Sequence, residues 1–411
     1  MGVVVQKYGG TSVADADRIR AVADRIVSAR KAGNDVCVVV SAMGRTTDGL
    51  VTLAHEVSSM PAARELDMLL TAGERVSIAL LCMALIDRGF EAASFTGSQA
   101  GILTDTDHGR ARILDVKAER LRDAIAAGRI AVVAGFQGVS TERDVTTLGR
   151  GGSDTSAVAL AAALDATECE IFTDVDGVFT ADPRRVPTAR KLDHISYDEM
   201  LELAACGAKV LHSRSVEFAR NFGVRVHVRS SFHERPGTLV VEANTMEEPI
   251  ISGVAHDTTE VKVTLAGVPD KPGIASHVFA ELAKQSVRID MIVQNVSHDG
   301  KTDVSFTVPT ADLATARPAV EAICGDVAAG GYDIDEEIAK ISLVGAGMKT
   351  HPGVAAKMFG ALADVDVNIE MISTSPIRIA CVVRSADLDA ALRSVHDRFA
   401  LGSADSEVQD V

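Results

Sequence analysis

The sequence predicts an α/β domain on an open, largely parallel sheet, followed by two small βαββαβ modules of ferredoxin-like plan. Three observations predict it. Through about residue 240, short Val/Ile-rich runs alternate with amphipathic stretches, the pattern of a sheet covered on both faces by crossover helices. The composition then shifts at Glu242-Ala243-Asn244-Thr245-Met246-Glu247-Glu248-Pro249, which has linker chemistry. Beyond it the chain repeats itself at an offset of 80 residues: Pro272-Gly273-x-Ala275-x-x-x-Phe279-x-x-Leu282-Ala283 returns as Pro352-Gly353-x-Ala355-x-x-x-Phe359-x-x-Leu362-Ala363, and Val287-x-Ile289-x-Met291-Ile292 as Val367-x-Ile369-x-Met371-Ile372. The expected domains are residues 1–245, 250–336 and 337–411.

In chain order, residues 3–6, 36–41, 130–134, 170–173 and 225–228 read as strands, being rich in Val and Ile and bounded by Gly or polar residues. Residues 15–29 carry Ile19, Val22, Ile26 and Ala29 at helical spacing and stop before Gly33, a C-terminal cap. Ser196 followed by Glu199 forms a capping box for a helix running to Gly207. In the repeat, each copy reads as a strand (261–266; 341–345), a Pro-Gly turn, a helix, an alternating strand pair and a second helix.

Composition narrows the function. The 411 residues hold 41 Lys plus Arg against 57 Asp plus Glu, a net charge of -16, with 47% hydrophobic content. An acidic chain lacks the clustered cations that nucleic acid or an anionic membrane surface requires. Six cysteines (Cys37, Cys82, Cys169, Cys206, Cys324, Cys381) form no C-x-x-C pair and no zinc spacing, so they are expected to be reduced, buried thiols of a cytoplasmic protein. No run reads as a membrane span or a signal-peptide core.

Five segments carry chemistry. Lys7-Tyr8-Gly9-Gly10-Thr11-Ser12 follows the first strand and precedes a helix; backbone N–H groups, a helix start and a lysine there make a seat for phosphate oxygens, although neither a Walker loop nor a G-x-G-x-x-G is present. Gly149-Arg150-Gly151-Gly152-Ser153-Asp154-Thr155-Ser156 opens the apolar run 157–164 and forms a second anion site, with Arg150 free to fork onto a carboxylate. Two such loops in one domain suit two anionic groups being brought together. Thr173-Asp174-Val175-Asp176-Gly177-Val178-Phe179, with Asp182-Pro183-Arg184, fails the EF-hand pattern and reads either as nucleotide contact or as turn chemistry. Ser41-Ala42-Met43-Gly44-Arg45-Thr46-Thr47-Asp48 and Ala72-Gly73-Glu74-Arg75 fall where open sheets bind ligands and suit a small zwitterion, although Glu74 also reads as a helix-start acid favoured by the dipole. Among eleven histidines, none stands in a triad order or metal pair; His212, near Lys209, reads as a helix-end residue.

Together these motifs and the doubled C-terminal module closely resemble the aspartate kinase family along the whole chain. The resemblance implies an amino-acid-kinase three-layer open sheet followed by two ACT modules, and transfer of the ATP γ-phosphoryl group to the β-carboxylate of L-aspartate. By that resemblance Lys7, Lys209 and Asp154 are catalytic. Lys7, Tyr8, Gly9, Gly10 and Lys209 hold the phosphates, and Thr173, Asp174, Phe179, Asp182 and Arg184 surround the nucleotide. Ser41, Thr47, Glu74, Arg150, Gly151, Gly152, Ser153 and Asp154 make the aspartate site. Mg2+ arrives with ATP, with no dedicated protein metal site. A carboxylate acceptor is already an anion at neutral pH, so the absence of a general base is expected.

The ACT modules imply lysine and/or threonine as effectors, bound at Asp270, Gly273, Ile274, Ala275, Gln294 and Asn295, where the helix N-terminus following Pro272-Gly273 offers N–H groups to a carboxylate. In relatives of this family the modules interleave, so residues 250–255 are candidates to complete the second one. The partners implied are a homo-oligomer, or a hetero-oligomer with an ACT-only subunit started internally at Met246.

Overall fold

The structure, a computed structural model, describes residues 2–243, 250–294, 300–349 and 351–402; Met246 and Asn295 lie outside the described residues. It divides into two compact units. The first comprises residues 1–178, 191–204 and 209–245, and the second comprises 179–190, 205–208 and 246–411.

Strands β1 (Val3–Tyr8) and β2 (Asp35–Val40) are joined by helix α1 (Ala16–Lys31). Asp15 caps α1 by accepting from the Arg18 N–H at 2.9 Å, and Ile19, Val22, Ala23 and Ile26 face the core. Helices α2 (Thr46–Val57), α3 (Ala63–Leu70) and α4 (Ala72–Ile86) lead to β3 (Ala92–Phe95). A small side sheet follows, built from β4 (Ile102–Thr104), β5 (Ile113–Val116), β7 (Gln137–Ser140) and β8 (Val145–Thr147), with α5 (Glu119–Ala126) and β6 (Ile130–Ala134) between β5 and β7. Helix α6 (Gly152–Ala163) leads to β9 (Glu168–Thr173), then β10 (His194–Ser196), α7 (Tyr197–Ala205), α8 (Ser213–Phe222), β11 (Val226–Ser230) and β12 (Thr238–Val241). The main sheet has the order β10-β12-β11-β9-β1-β2-β6-β3 and is parallel except between β11 and β12. Continuous β-branched runs such as 36–40 suit a strand buried on both faces. The Ser196–Glu199 capping box forms: the Glu199 carboxylate accepts from the Ser196 N–H and hydroxyl at 3.2 and 2.6 Å.

Residues 63–86, spanning α3 and α4, are long and apolar enough to cross a membrane by length and composition, which the linear reading did not register; half of the most apolar 18 residues in it are buried. Ile78, Leu81, Cys82 and Leu85 pack in the same core as α1, so the apolar run is a core helix.

In the second unit, β14 (Glu260–Pro269), α9 (Ile274–Lys284), β15 (Ile292–Gln294), β16 (Lys301–Pro309), α10 (Leu313–Asp326) and β17 (Gly331–Asp335) form a four-stranded module in the order β15-β16-β14-β17. The second copy contains β18 (Ile338–Val344), α11 (Val354–Ala363), β19 (Met371–Ser375), β20 (Arg378–Arg384) and α12 (Leu388–Arg398). Its fourth strand is β13 (Gly253–Asp257), which pairs antiparallel with β18 and precedes the first module in the chain. The alternating segments begin as strands only at Ile292 and Met371; Val287 and Val367 lie upstream and fill the two module cores. Met291, Met371, Ile338, Ala380 and Val382 form an apolar cluster shared by the modules. Beside it the Lys340 ammonium, on a side chain 1% exposed, pairs with Glu260 at 2.6 Å and with Asp290. Burial pulls the Lys340 pKa down, but the two carboxylates outweigh it and hold it above the usual lysine range.

Segment 179–190 joins the second unit because Ala181 and Val186 are buried with Ile251, Val254, Met358 and Leu392. The Thr180 carbonyl accepts from the Val254 N–H at 2.7 Å, and the Thr180 hydroxyl lies 3.0 Å from His396 Nε2. A boundary at residue 245 alone therefore does not describe the division: an excursion from the first unit's chain belongs to the second unit's core.

Candidate active site

The carboxyl ends of β1 and β2 and the start of α6 converge in the first unit. Lys7 is the last residue but one of β1, and its side chain takes the face opposite Tyr8. Its ammonium meets the Asp154 carboxylate at 2.6 Å; the two side chains are 11% and 12% exposed. After β1 the loops lock together: the Ser41 N–H donates to the Tyr8 carbonyl at 3.1 Å, and the Gly44 N–H to the Gly10 carbonyl at 3.0 Å. The Gly9 N–H donates to the Phe172 carbonyl at 3.3 Å, which brings the 9–12 loop beside Thr173 and Asp174.

Glu74, in the first turn of α4, is buried. One oxygen accepts from the Ala42 N–H at 3.1 Å; the other, Oε2, is buried and accepts no hydrogen bond among the described residues. Burial pushes this carboxyl up to about 7, with its own N–H and that of Ala42 opposing the rise. The Ser41 hydroxyl donates to the Ser153 hydroxyl at 3.0 Å, tying the β2 loop to α6. Gly151 caps α6 at φ 69°, and a Cβ there would meet the His212 side chain at 2.3 Å, so the turn requires glycine. Arg150, on the loop before it, is exposed and forms no ion pair among the described residues. Thr47 lies in the first turn of α2, half-buried.

Lys7, Ser41, Glu74, Ser153 and Asp154 are thus linked by contacts or shared loops, with Arg150, Gly151 and Gly152 on the loop that opens α6. Lys209 is exposed and precedes by three residues His212, which packs on Gly151. The His212 carbonyl accepts from the Ser215 N–H and hydroxyl at the start of α8, the helix-end role expected of it, and burial drags its imidazole pKa below the usual value.

Of the expected nucleotide residues, Tyr8 turns its side chain into the core, and three others fall in the second unit. The Tyr8 side chain is fully buried on the other face of the sheet, stacked on Phe172 with ring centroids 4.8 Å apart, which leaves its backbone as the part that faces the loop. Phe179, Asp182 and Arg184 belong to the second unit. Asp182 and Arg184 pair with each other at 2.8 Å, and the guanidinium holds the Asp182 carboxyl below the usual range. Alternation along β1 explains Tyr8, and long-range packing of 179–190 explains the other three. Of the effector residues, Gly273 caps α9, Ile274 begins it, Asp270 and Ala275 are exposed, and Gln294 ends β15.

All six cysteines are free; burial pushes Cys37, Cys82 and Cys381 up to about 12, which makes them inert. Among the described residues one group, Glu168, Glu170 and His227, has metal-compatible spacing. Its donors are already engaged: Glu170 accepts from Gln6 at 2.7 Å and Arg229 at 2.6 Å, and Glu168 lies 2.9 Å from His227 Nδ1. The linear reading missed Asp67 and Arg214, whose contacts fasten the Arg150 loop; Asp67, a lone acid within Leu66-Asp67-Met68-Leu69-Leu70, was the available signal.

Comparison with known proteins supplies the family. The amino acid kinase family matches residues 2–230, and the ACT domain matches residues 261–323 and 341–399. Aspartokinase of Mycolicibacterium smegmatis is 56% identical over 414 residues, covering 99% of this chain and 98% of its own. Aspartokinase of Corynebacterium glutamicum is 57% identical over 417 residues, with the same coverage of 99% and 98%. Among solved structures, E. coli aspartokinase III in complex with aspartate and ADP has a TM-score of 0.82 at 27% identity, covering 96% of this chain and 99% of that one. The same enzyme in complex with lysine and aspartate has a TM-score of 0.76 at 28% identity, with coverage of 96% and 99%. Identity above one half along nearly the whole of both chains settles the kinship: the chain belongs to the aspartokinase family.

Proposed function

We propose that the Lys7–Asp154 pair, Glu74 and Arg150 divide the work of moving the γ-phosphoryl group of ATP to the β-carboxylate of L-aspartate. The observation that carries this reading is a buried Glu74 oxygen that, among the described residues, has no partner, in the same unit as an arginine without an ion pair among them and a lysine held by a carboxylate. Glu74 Oε2 receives the substrate ammonium, and Arg150 forks onto the α-carboxylate. The β-carboxylate then faces the phosphate loop, with the hydroxyls of Ser41, Thr47 and Ser153 completing the enclosure. Lys7 and Lys209 carry positive charge to the transferring phosphoryl, and the Gly9 and Gly10 backbone permits close approach. Asp154 orients the Lys7 ammonium. Thr173 and Asp174 contribute on the nucleotide side. No proton is removed, because the nucleophile is already ionised at neutral pH.

Mg2+ comes with ATP. The donor chemistry fits that mode: Asp154 is committed to Lys7, while Asp174 is exposed just past the carbonyl that holds Gly9, so protein carboxylates supplement phosphate oxygens rather than forming a dedicated cage. Bound with the nucleotide, the ion would neutralise negative charge on its phosphates.

The direct test is ADP release in a coupled assay across L-aspartate, L-glutamate and carbamate; release dependent on L-aspartate alone is expected, and equal rates with another acid would overturn the substrate assignment. Arg150→Ala is expected to raise the KM for aspartate at least about tenfold and leave that for ATP within about twofold, since one charged hydrogen-bonded contact is worth roughly 1.5–3 kcal/mol. An equal rise for ATP would mean the clamp holds the nucleotide.

We further propose that lysine, threonine or both inhibit the enzyme through the ACT modules, with the effector carboxylate at the N-terminus of α9 and Asp270, Gly273, Ile274, Ala275 and Gln294 around it. Gly273 sits at φ 95°, so any side chain there strains the cap whatever the effector does. Ala275 is the cleaner probe, exposed in the first turn of α9. Ala275→Leu is expected to raise the inhibitory concentration about tenfold or more with uninhibited kcat unchanged, a shift of about 1.4 kcal/mol in effector preference. Unaltered sensitivity would remove the effector from this turn.

The chain is also proposed to work in the cytoplasm as an oligomer. Helix α4 exposes Val76, Leu80, Met83 and Ile86, between 39% and 61%, on the side away from its core. A helix apolar all round is normally covered on both sides, and Arg75 near one end with Asp87 just past the other gives an antiparallel second copy opposite charges at both ends. Met83→Glu is expected to lower the mass measured by light scattering; an unchanged mass would place the contact elsewhere.

A further inference from the structure

Asp67 is the buried acid of α3, whose other charged residues, Arg64 and Glu65, are exposed. It lies on α3, is 1% exposed, and has no lysine or arginine partner among the described residues. A buried carboxylate is costly unless its oxygens are filled with donors, and here they are filled from two loops. The Thr147 hydroxyl donates to Oδ1 at 2.5 Å, the Gly109 N–H reaches both oxygens at 3.1 Å, and His108 Nδ1 lies 2.7 Å from Oδ2.

Thr147 ends β8, and the chain passes through Leu148 directly into Gly149-Arg150-Gly151. The 105–111 loop runs against the same stretch. The Ala111 N–H donates to the Thr147 carbonyl at 2.9 Å, and a Cβ on Gly149 would come to 3.0 Å from the Gly109 carbonyl. Arg214, from α8, clips the two strands of backbone together, donating to the Leu148 carbonyl at 2.9 Å and the Ala111 carbonyl at 2.7 Å. On the far side the Leu148 N–H donates to the Phe136 carbonyl at 2.9 Å. The backbone leading to Arg150 is therefore tied on several sides, while the Arg150 side chain itself has no ion pair among the described residues.

We propose that Asp67 is a positioning residue for the carboxylate-binding loop: through Thr147, His108 and Gly109 it fixes the backbone from which Arg150 reaches the α-carboxylate of the substrate. This rests on the reading of Arg150 given above. A guanidinium fork recognises a carboxylate only in register, and an error of about 1 Å in placement can cost on the order of a hundredfold. A buried anion accepting from both loops at once supplies that register, because sliding either loop leaves a charged oxygen without a donor. Arg214 fastens the same two segments through their carbonyls.

The test uses the full-length enzyme and steady-state kinetics in both substrates. Thr147→Val keeps the side chain's shape and removes the hydroxyl donated to Asp67; Thr147→Ser keeps the hydroxyl. The valine variant is expected to raise the KM for aspartate about fivefold and leave that for ATP within about twofold, with serine restoring the parental value. Asp67→Asn is expected to give the larger effect, about tenfold or more in the same direction. In an Arg150→Ala background, Thr147→Val should have no further effect on aspartate KM, because a positioning residue acts only through what it positions.

A valine variant whose aspartate KM equals the parent's, even with a lower melting temperature, would make Asp67 a purely structural residue and overturn the proposal. Full multiplication of the two effects in the double variant would overturn it as well, since Thr147 would then act independently of Arg150. If Arg150→Ala leaves aspartate KM unchanged, the assignment of Arg150 fails, an outcome distinct from either. Should Asp67→Asn not fold, the Thr147 valine and serine pair decides the question by itself.

Discussion

Replacing Lys7 with alanine is expected to lower kcat by at least about a hundredfold, equivalent to about 2.7 kcal/mol of transition-state stabilisation. The reaction brings a carboxylate nucleophile up to a polyanionic phosphoryl donor, so repulsion between anions is the barrier that the protein can lower. Lys7 is the cation best placed to lower it: it is nearly buried, where charge is poorly screened, and Asp154 at 2.6 Å prevents it from swinging away. Truncation also leaves Asp154 buried without its cation, so part of any loss in activity could come from a disturbed α6. The companion variant Asp154→Asn separates the two effects, since it frees Lys7 without removing the charge. Its kcat should fall less than that of Lys7→Ala, with circular dichroism and the melting transition near the parent's. A Lys7→Ala enzyme with kcat within a fewfold of the parent would sink the assignment of this loop to phosphate.

The second large effect is a pH dependence set by Glu74. Its carboxyl, pushed up to about 7 by burial, is ionised above that pH and neutral below it in the free enzyme. Only the ionised form attracts an ammonium group, so the competent fraction falls by about tenfold for each pH unit below 7, and the KM for aspartate rises by the same factor. Bound substrate brings a positive charge to Oε2 and favours ionisation, so kcat at saturating aspartate should be nearly flat over pH 6–8, while kcat/KM for aspartate climbs and levels off above about 7. In Glu74→Gln the climb should disappear, and aspartate KM should exceed the parent's at pH 8 by at least about thirtyfold, the scale of a truncated buried charge pair. A parental profile with no inflection between pH 6 and 8, or a glutamine variant that retains one, would remove Glu74 from contact with the ammonium group.

Much of the catalytic unit was legible in the linear chain because its signals are local. Asp15 before an apolar periodicity of 3.6, the Ser196–Glu199 pair and the β-branched run 36–40 each act within a few residues, and the observed elements follow them. The two glycine-rich turns were legible for the same reason, since glycines beside Lys7 and around Arg150 announce unusual backbone, and Gly151 takes φ 69°. The burial of the Tyr8 side chain was not legible, because adjacency in a motif is not adjacency in space: one step along a strand moves a side chain to the opposite face. The unit to which Phe179, Asp182 and Arg184 belong was equally illegible, since they follow Thr173 and Asp174 closely in sequence while burial of Ala181 and Val186 puts their segment in the other unit's core.

By itself the sequence determined the α/β class, the doubled module and the two glycine-rich loops, all of which follow from periodicity, repetition and the conformational freedom of glycine. Tertiary structure alone decided which partners the charged groups found. Glu74 could have been a solvated helix-start acid; packing of α4 against the end of β2 buried it, gave one oxygen to Ala42 and left the other unpartnered. Asp67 could have been an interruption in an apolar helix; folding placed it under two loops that are 41 and 80 residues away in sequence. Strand β13 likewise completes a module whose other strands begin only at residue 338. Hydrogen bonds and desolvation act over a few ångströms, and only the folded chain decides which distant residues come within that range.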